Sequence, residues 1–121
     1  MLIPTILAWL VLVAATHGTR LNRIVSTNRQ LFVDDSGRTR VLRGTNVVAK
    51  AFPYIPDTRI DAIPMLSFNK RDVAILALHG TTAIRLGVIW AGVEPTRGQY
   101  NSTYLNELKS IVQMCSDAGI Y

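Results

Sequence analysis

Residues 82 to 90 of this 121-residue chain read Thr-Ala-Ile-Arg-Leu-Gly-Val-Ile-Trp from Thr82 to Trp90, a near-continuous apolar run broken by one charge. A strand that is apolar on both sides must be covered on both sides. That is the condition of a parallel strand in an α/β fold. With side chains alternating, Ala83, Arg85, Gly87 and Ile89 share one face, and Ile84, Leu86, Val88 and Trp90 share the other. If the second face packs on helices, Arg85 points into the interior of the sheet. An unpaired guanidinium there would be prohibitively costly, so the reading requires a carboxylate partner for Arg85. The pair could be structural or part of a site.

The flanking segments fit such a sheet. From Ile24 the chain reads as extended, with residues 30 to 33 and 38 to 42 facing each other across Asp34-Asp35-Ser36-Gly37 as a hairpin. The second run continues through Arg43-Gly44-Thr45-Asn46-Val47-Val48 as an expected central strand. A loop carrying Pro53, Pro56 and Pro64 follows, apolar enough at Phe52, Tyr54 and Ile55 to suggest more than a connector. Ser67 or Asn69 caps a helix to about His79, with Asp72 in its first turn and Gly80 after its end. Beyond the apolar strand, a loop over 91 to 99 leads to a second helix capped at residues 101 to 103. Its expected buried face holds Leu105, Leu108, Ile111, Val112 and Cys115. Gly119 closes it, and Ile120-Tyr121 begin an expected third strand. Hairpin, strand, helix, strand, helix, strand is the order of a parallel α/β sheet. Two strands cannot bury both faces of one, so the chain is expected to be a fragment.

The N-terminus reads as a leader. Residues 1 to 19 carry no charged side chain, and residues 6 to 15 are almost wholly apolar. That run suits a secretory signal and falls short of the ~20 apolar residues of a membrane span. Residues 1 to 18 are therefore expected to be a signal peptide, and 19 to 121 the folded part, secreted or lysosomal. Asn101-Ser102-Thr103 is the one N-glycosylation sequon, which makes Asn101 a candidate glycan site in an exported protein.

The balance of 13 Lys+Arg against 8 Asp+Glu gives a net charge of +5. The arginines are scattered and no aromatic residues interleave with them, so a solvated face is expected and nucleic acid is not an expected partner. One cysteine excludes a disulfide framework or cysteine-built zinc site, and Cys115 reads as a small core residue. His17 and His79 support no metal cluster, and no cofactor motif is present. Lys50 lies just past the expected first parallel strand, where loops of α/β folds build sites, although its spacing alone favours a solvent-facing lysine. Trp90 closes the second strand at the same end, where a ring could stack on a sugar or simply pack. Glu94 sits in a loop with no second acid placed to work with it.

Several of these segments together resemble one family: Arg43-Gly44-Thr45-Asn46-Val47-Val48, Lys50 with Pro53-Tyr54-Ile55-Pro56, Ile84 through Pro95, and Gly98 through Leu105. The run from about residue 22 to 121 resembles the N-terminal part of endoglycoceramidases, the glycosphingolipid-cleaving branch of glycoside hydrolase family 5. The resemblance implies a (β/α)₈ TIM barrel preceded by a hairpin and truncated at the start of strand 3. It implies a retaining hydrolase that cleaves the bond between oligosaccharide and ceramide with two glutamates. One lies in an Asn-Glu-Pro ending the fourth strand, the other ends the seventh, and a His-Gln-Asp is expected on the third. None is present here, so the chain by itself is expected to be inactive.

By the same resemblance, Arg85 matches the arginine that hydrogen-bonds the nucleophilic glutamate, and Lys50 matches a lysine near the sugar-binding cleft. Glu94 matches a loop glutamate that is not the acid/base, and Ala91 stands where many relatives have proline. The implied partner is a glycosphingolipid or oligosaccharide, with membrane contact only through the lipid substrate. Two other readings remain open: a fragment of a family 5 β-glucanase, or a secreted non-catalytic carbohydrate- or lipid-binding module. The second would need residues 19 to 121 to fold alone.

Overall fold

The computed structural model describes residues 21–121, so the expected leader and His17 lie outside the described residues. The extended N-terminal stretch forms a three-stranded antiparallel sheet of β1 (Ile24–Asn28), β2 (Leu31–Asp34) and β3 (Thr39–Arg40). A bulge between Ile24 and Ser26 shifts the β1–β2 register. The turn between those strands carries no glycine; instead Arg29 takes φ of 57°. The expected hairpin therefore forms, with one more strand than the sequence reading placed there. Gly37, at φ of 78°, supplies the left-handed residue of the second turn.

The expected continuous strand from 38 to 48 is broken. β3 ends at Arg40, and β4 (Gly44–Val47) belongs to a second sheet, paired in parallel with β5 (Ala83–Leu86). The Thr82 hydroxyl fastens the break, accepting from the Arg43 amide at 2.8 Å and donating to the Val41 carbonyl at 3.1 Å. At Gly44 a side chain would collide with the Ala83 backbone, so only glycine admits this approach.

The second sheet also differs from expectation at its far end. β5 stops at Leu86, and Ile89 caps the short helix α2 (Trp90–Val93). Trp90 therefore opens a helix and does not close the strand. Two contacts turn the chain out of the sheet: Gly87 backs onto the Val48 side chain, and the Ile89 amide is taken by the Tyr104 hydroxyl at 3.0 Å. On the other side of β5, Tyr121 sits in strand register. Its amide donates to the Thr82 carbonyl at 2.9 Å, and its carbonyl accepts from the Ile84 amide at 2.8 Å. These two bonds straddle Ala83 in the pattern of a parallel ladder.

Both long helices form where their caps predict. α1 (Lys70–Leu78) begins at Asn69, whose side chain accepts from Arg71 N while Asp72 accepts from Asn69 N, both at 2.9 Å. Such a capping box stabilises a helix start by about 1 kcal/mol. Gly80, at φ of 70°, follows its end. α3 (Ser102–Asp117) begins at Asn101, whose side chain accepts from Tyr104 N at 3.1 Å.

The buried stripe of α3 is Tyr104, Leu108, Ile111 and Cys115, so the expected face is rotated. Leu105 and Val112 are exposed. The core is the interface of β4 and β5 with α1 and α3: Val47, Phe68, Val73, Ile111, Cys115 and Ile120, with Ile84 and Leu86 packed against it. No helix among the described residues is long and apolar enough to cross a membrane.

Candidate functional site

The alternation expected for β5 holds on one side. Ile84 and Leu86 face the helices, and Arg85 leaves the sheet on the opposite face beside Asn46 of β4. Burial of Arg85 does not follow. Arg85 is exposed, as are Gly44, Thr45 and Asn46, and it makes no salt bridge among the described residues. No described layer covers this face, so the guanidinium keeps its water and needs no carboxylate. Arg85 and Asn46 instead line a hollow of about 460 Å³ with Leu42, Thr45 and Ala83.

Lys50, three residues past β4, is exposed and lines a larger cleft of about 1080 Å³, which shares Thr45 and Asn46 with the Arg85 hollow. That cleft runs between the end of β4, the proline loop, α1 and the start of α3. Its lining is mainly apolar, with Phe52, Ile55, Leu66 and Phe68, and Asn101 stands on its wall. Trp90 is 76% exposed and lines neither hollow. The chain therefore carries Lys50 and Trp90 at the same end of the sheet without gathering Lys50, Arg85 and Trp90 into one cavity. Asn101 is exposed, and its side-chain oxygen is engaged as the cap of α3.

The proline loop is held by its own ladder. Asp57 N donates to Leu66 O and Phe68 N to Asp57 O, each at 2.9 Å. Asp57 also receives Arg59, whose guanidinium and amide hydrogen bonds hold its carboxyl below the usual range; the same pairing raises Arg59. Glu94 likewise closes a turn, accepting from Gly98 N at 2.6 Å. His79 is the C-cap of α1. Among the described residues no three His, Cys, Asp or Glu side chains group as a metal site.

Tyr104 escapes sequence reasoning, and Asp34, read only as part of the hairpin turn, proves to be buried. Tyr104 is 3% exposed, and its hydroxyl accepts from Ile89 N at 3.0 Å and donates to Tyr54 O at 3.2 Å. Its ring lies on Gly92, where an added Cβ would meet it at 2.5 Å. No local pattern marks it, because its partners lie 15 and 50 residues away. Asp34 is 1% exposed and accepts from Ser36 Oγ at 2.6 Å, from the Ser36 and Arg38 amides at 3.0 Å, and from Arg40 Nε at 2.6 Å. The turn itself is legible, since an aspartate two residues before a serine is a turn-forming pair; the convergence of Arg40 on the same carboxylate, which accompanies its burial, is not.

No family model matches the chain. Against curated proteins, it is 42% identical over 97 residues to an endoglycoceramidase of Cyanea nozakii, covering 80% of this chain and 19% of that protein. An endoglycoceramidase of Hydra vulgaris is 38% identical over 97 residues, with 80% and 18% covered. Endoglycoceramidase I of Rhodococcus hoagii (strain 103S) is 34% identical over 89 residues, with 74% and 17% covered. Among solved structures, an endogalactoceramidase matches 84% of this chain and 22% of its own at a TM-score of 0.65 and 28% identity. The chain spans about a fifth of the length of the curated relatives it matches. The α/β arrangement of strands and helices resembles part of the endogalactoceramidase structure, and the chain is endoglycoceramidase-like in sequence.

Proposed function

We propose that this chain is the N-terminal portion of a retaining family 5 glycosidase that hydrolyses the oligosaccharide–ceramide bond of glycosphingolipids. The observation that carries the reading is the 42% identity to an endoglycoceramidase across 80% of the chain. The parallel pair β4–β5, with Tyr121 adding at its outer edge, supports a place for these strands at the start of a (β/α)₈ barrel. A barrel of that kind takes roughly 250 residues, with its site at the C-terminal ends of the strands. Lys50 and the Trp90 loop stand at that end. Arg85 and Asn46 occupy the face that the barrel interior would cover, so the carboxylate partner of Arg85 would come from the remainder of the barrel.

In this reading the two glutamates that perform double displacement lie in the remainder as well. The present residues would bind and orient: Arg85 holds the nucleophilic carboxylate, Lys50 lines the sugar cleft, and Trp90 offers a stacking face. The leader directs the protein to secretion or the lysosome, and Asn101 carries a glycan there. The chain by itself is inactive.

The test is to express the chain together with its downstream sequence and incubate it with a ganglioside in detergent. Release of the intact oligosaccharide and ceramide is expected, with none from the 121-residue chain alone. Stepwise loss of terminal sugars, or cleavage of β-glucan and not of the glycolipid, would sink the reading.

A further inference from the structure

The loops that follow β4 and β5 are joined through one buried hydroxyl. The first contains Lys50, Phe52 and Tyr54; the second contains Ile89 and leads into α2 at Trp90. The Tyr104 hydroxyl donates to the carbonyl of Tyr54 and accepts from the amide of Ile89, so a single group spends its proton on one loop and its lone pair on the other. Its ring is fixed by contact with Gly92, and its own amide is fixed by the Asn101 cap. Tyr104 is thus a rigid post, planted in the first turn of α3, on which both loops are hung.

We propose that Tyr104 is a positioning residue for substrate binding, setting the Lys50 loop against the Trp90 loop at the C-terminal end of the sheet. The inference rests on the function proposed above and adds a residue that touches neither sugar nor reacting atoms. Tyr54 makes the coupling consequential. It sits at φ of 67°, a backbone conformation that a tyrosine holds only under constraint from its surroundings. The Tyr104 hydrogen bond to its carbonyl is one such constraint, together with the Tyr54 N to Ala51 O bond at 2.7 Å. Without the hydroxyl, the Tyr54 carbonyl and the Ile89 amide both lose their partner, and the loops are free to separate while the ring still fills its place.

The experiment is Tyr104→Phe in the full-length protein, read by steady-state kinetics on a ganglioside and by amide hydrogen exchange. The expected result is faster exchange over both 51–55 and 88–93, with KM raised about five- to tenfold, the low end for two lost neutral hydrogen bonds. kcat is expected to stay within about twofold, since the glutamates are untouched. A lowered melting temperature with KM unchanged overturns the proposal, because it makes Tyr104 structural only. So does a fall in kcat at constant KM. Should the wild-type protein fail to cleave any glycosphingolipid, the proposed function falls. The loop coupling then stands or falls on whether exchange quickens in both loops together.

Discussion

Arg85 lies directly beside Asn46 across the parallel β4–β5 pair, both on the sheet face turned away from α1 and α3. The opposite side of the same four-residue strand packs against the core through Ile84 and Leu86. One short strand therefore separates what holds this chain together from what it offers to a site.

That separation lets the two contributions of Arg85 be read apart. It is exposed and unpaired among the described residues, so in the 121-residue chain Arg85→Ala is expected to shift the unfolding midpoint by no more than about 2 °C. In the full-length protein the same change is expected to lower ganglioside hydrolysis at least about tenfold, since a charge-assisted hydrogen bond is worth ~1.5–3 kcal/mol. Parallel melting curves and rates check it. Unchanged hydrolysis would remove Arg85 from the site.

Gly92 is where the Tyr104 post meets its support. Gly92→Ala places a methyl 2.5 Å from the Tyr104 ring and should cost about 1–3 kcal/mol, the range of an overpacked core. A denaturant series on Gly92→Ala, Tyr104→Leu and the double variant gives the coupling. The double variant should be less destabilised than the two singles together by at least about 0.5 kcal/mol. Strict additivity would mean that the ring and the glycine do not bear on each other.

The features legible in the sequence are those whose determinants lie close along the chain. Asn69, Asp72 and Gly80 mark α1 at both ends because capping is settled within one turn. The parallel pairing of β4 with β5 follows from the alternating order of strands and helices and from the apolar run that contains β5, not from β4 itself, whose Gly-Thr-Asn-Val is mostly polar and exposed. What is misread depends on distant partners. The break at 41 to 43 is fastened by Thr82, some 40 residues on, and nothing around Val41 announces it. The α3 stripe is rotated because Tyr104 is drawn inward by Ile89 and Tyr54, where apolar spacing alone favoured Leu105 and Val112. Trp90 leaves the strand because the Ile89 amide bonds to that same tyrosine. The expected burial of Arg85 presupposed a second layer, and no described residue supplies one. Which end of the sheet Lys50 and Trp90 follow depends only on strand direction, and the parallel β4–β5 pair sets it.

Cys115 is 2% exposed on the buried face of α3, and burial pushes its thiol pKa up. Less thiolate and no access both argue against reaction in the folded protein. An alkylating reagent at pH 8 is expected to leave Cys115 unmodified for hours in buffer and to label it within minutes in 6–8 M urea (roughly the range that unfolds small domains). Equal labelling under both conditions would show that α3 does not stay docked on the sheet.

Asp34 provides a pH test of the hairpin. Burial alone would raise its carboxyl pKa, but the Ser36 hydroxyl, the Arg38 amide, the Arg40 guanidinium and the Ser36 amide outweigh it and hold the group well below the usual carboxylate range. A depressed folded pKa means that the unfolded chain takes up the proton first as pH falls. The stabilisation is therefore fully present above the ordinary carboxylate value of about 3.9, and it is lost as pH drops from there towards the folded value. Asp34→Asn removes the charge and keeps the size. Its unfolding midpoint should lie below that of the wild type by roughly 5 °C or more at pH 7, and the gap should narrow steadily below about pH 4. Melting curves at pH 7, 5 and 3 measure that gap. A gap that stays constant or widens on acidification would mean that the four donors do not favour the charged form. Asp34 would then be a turn residue like any other.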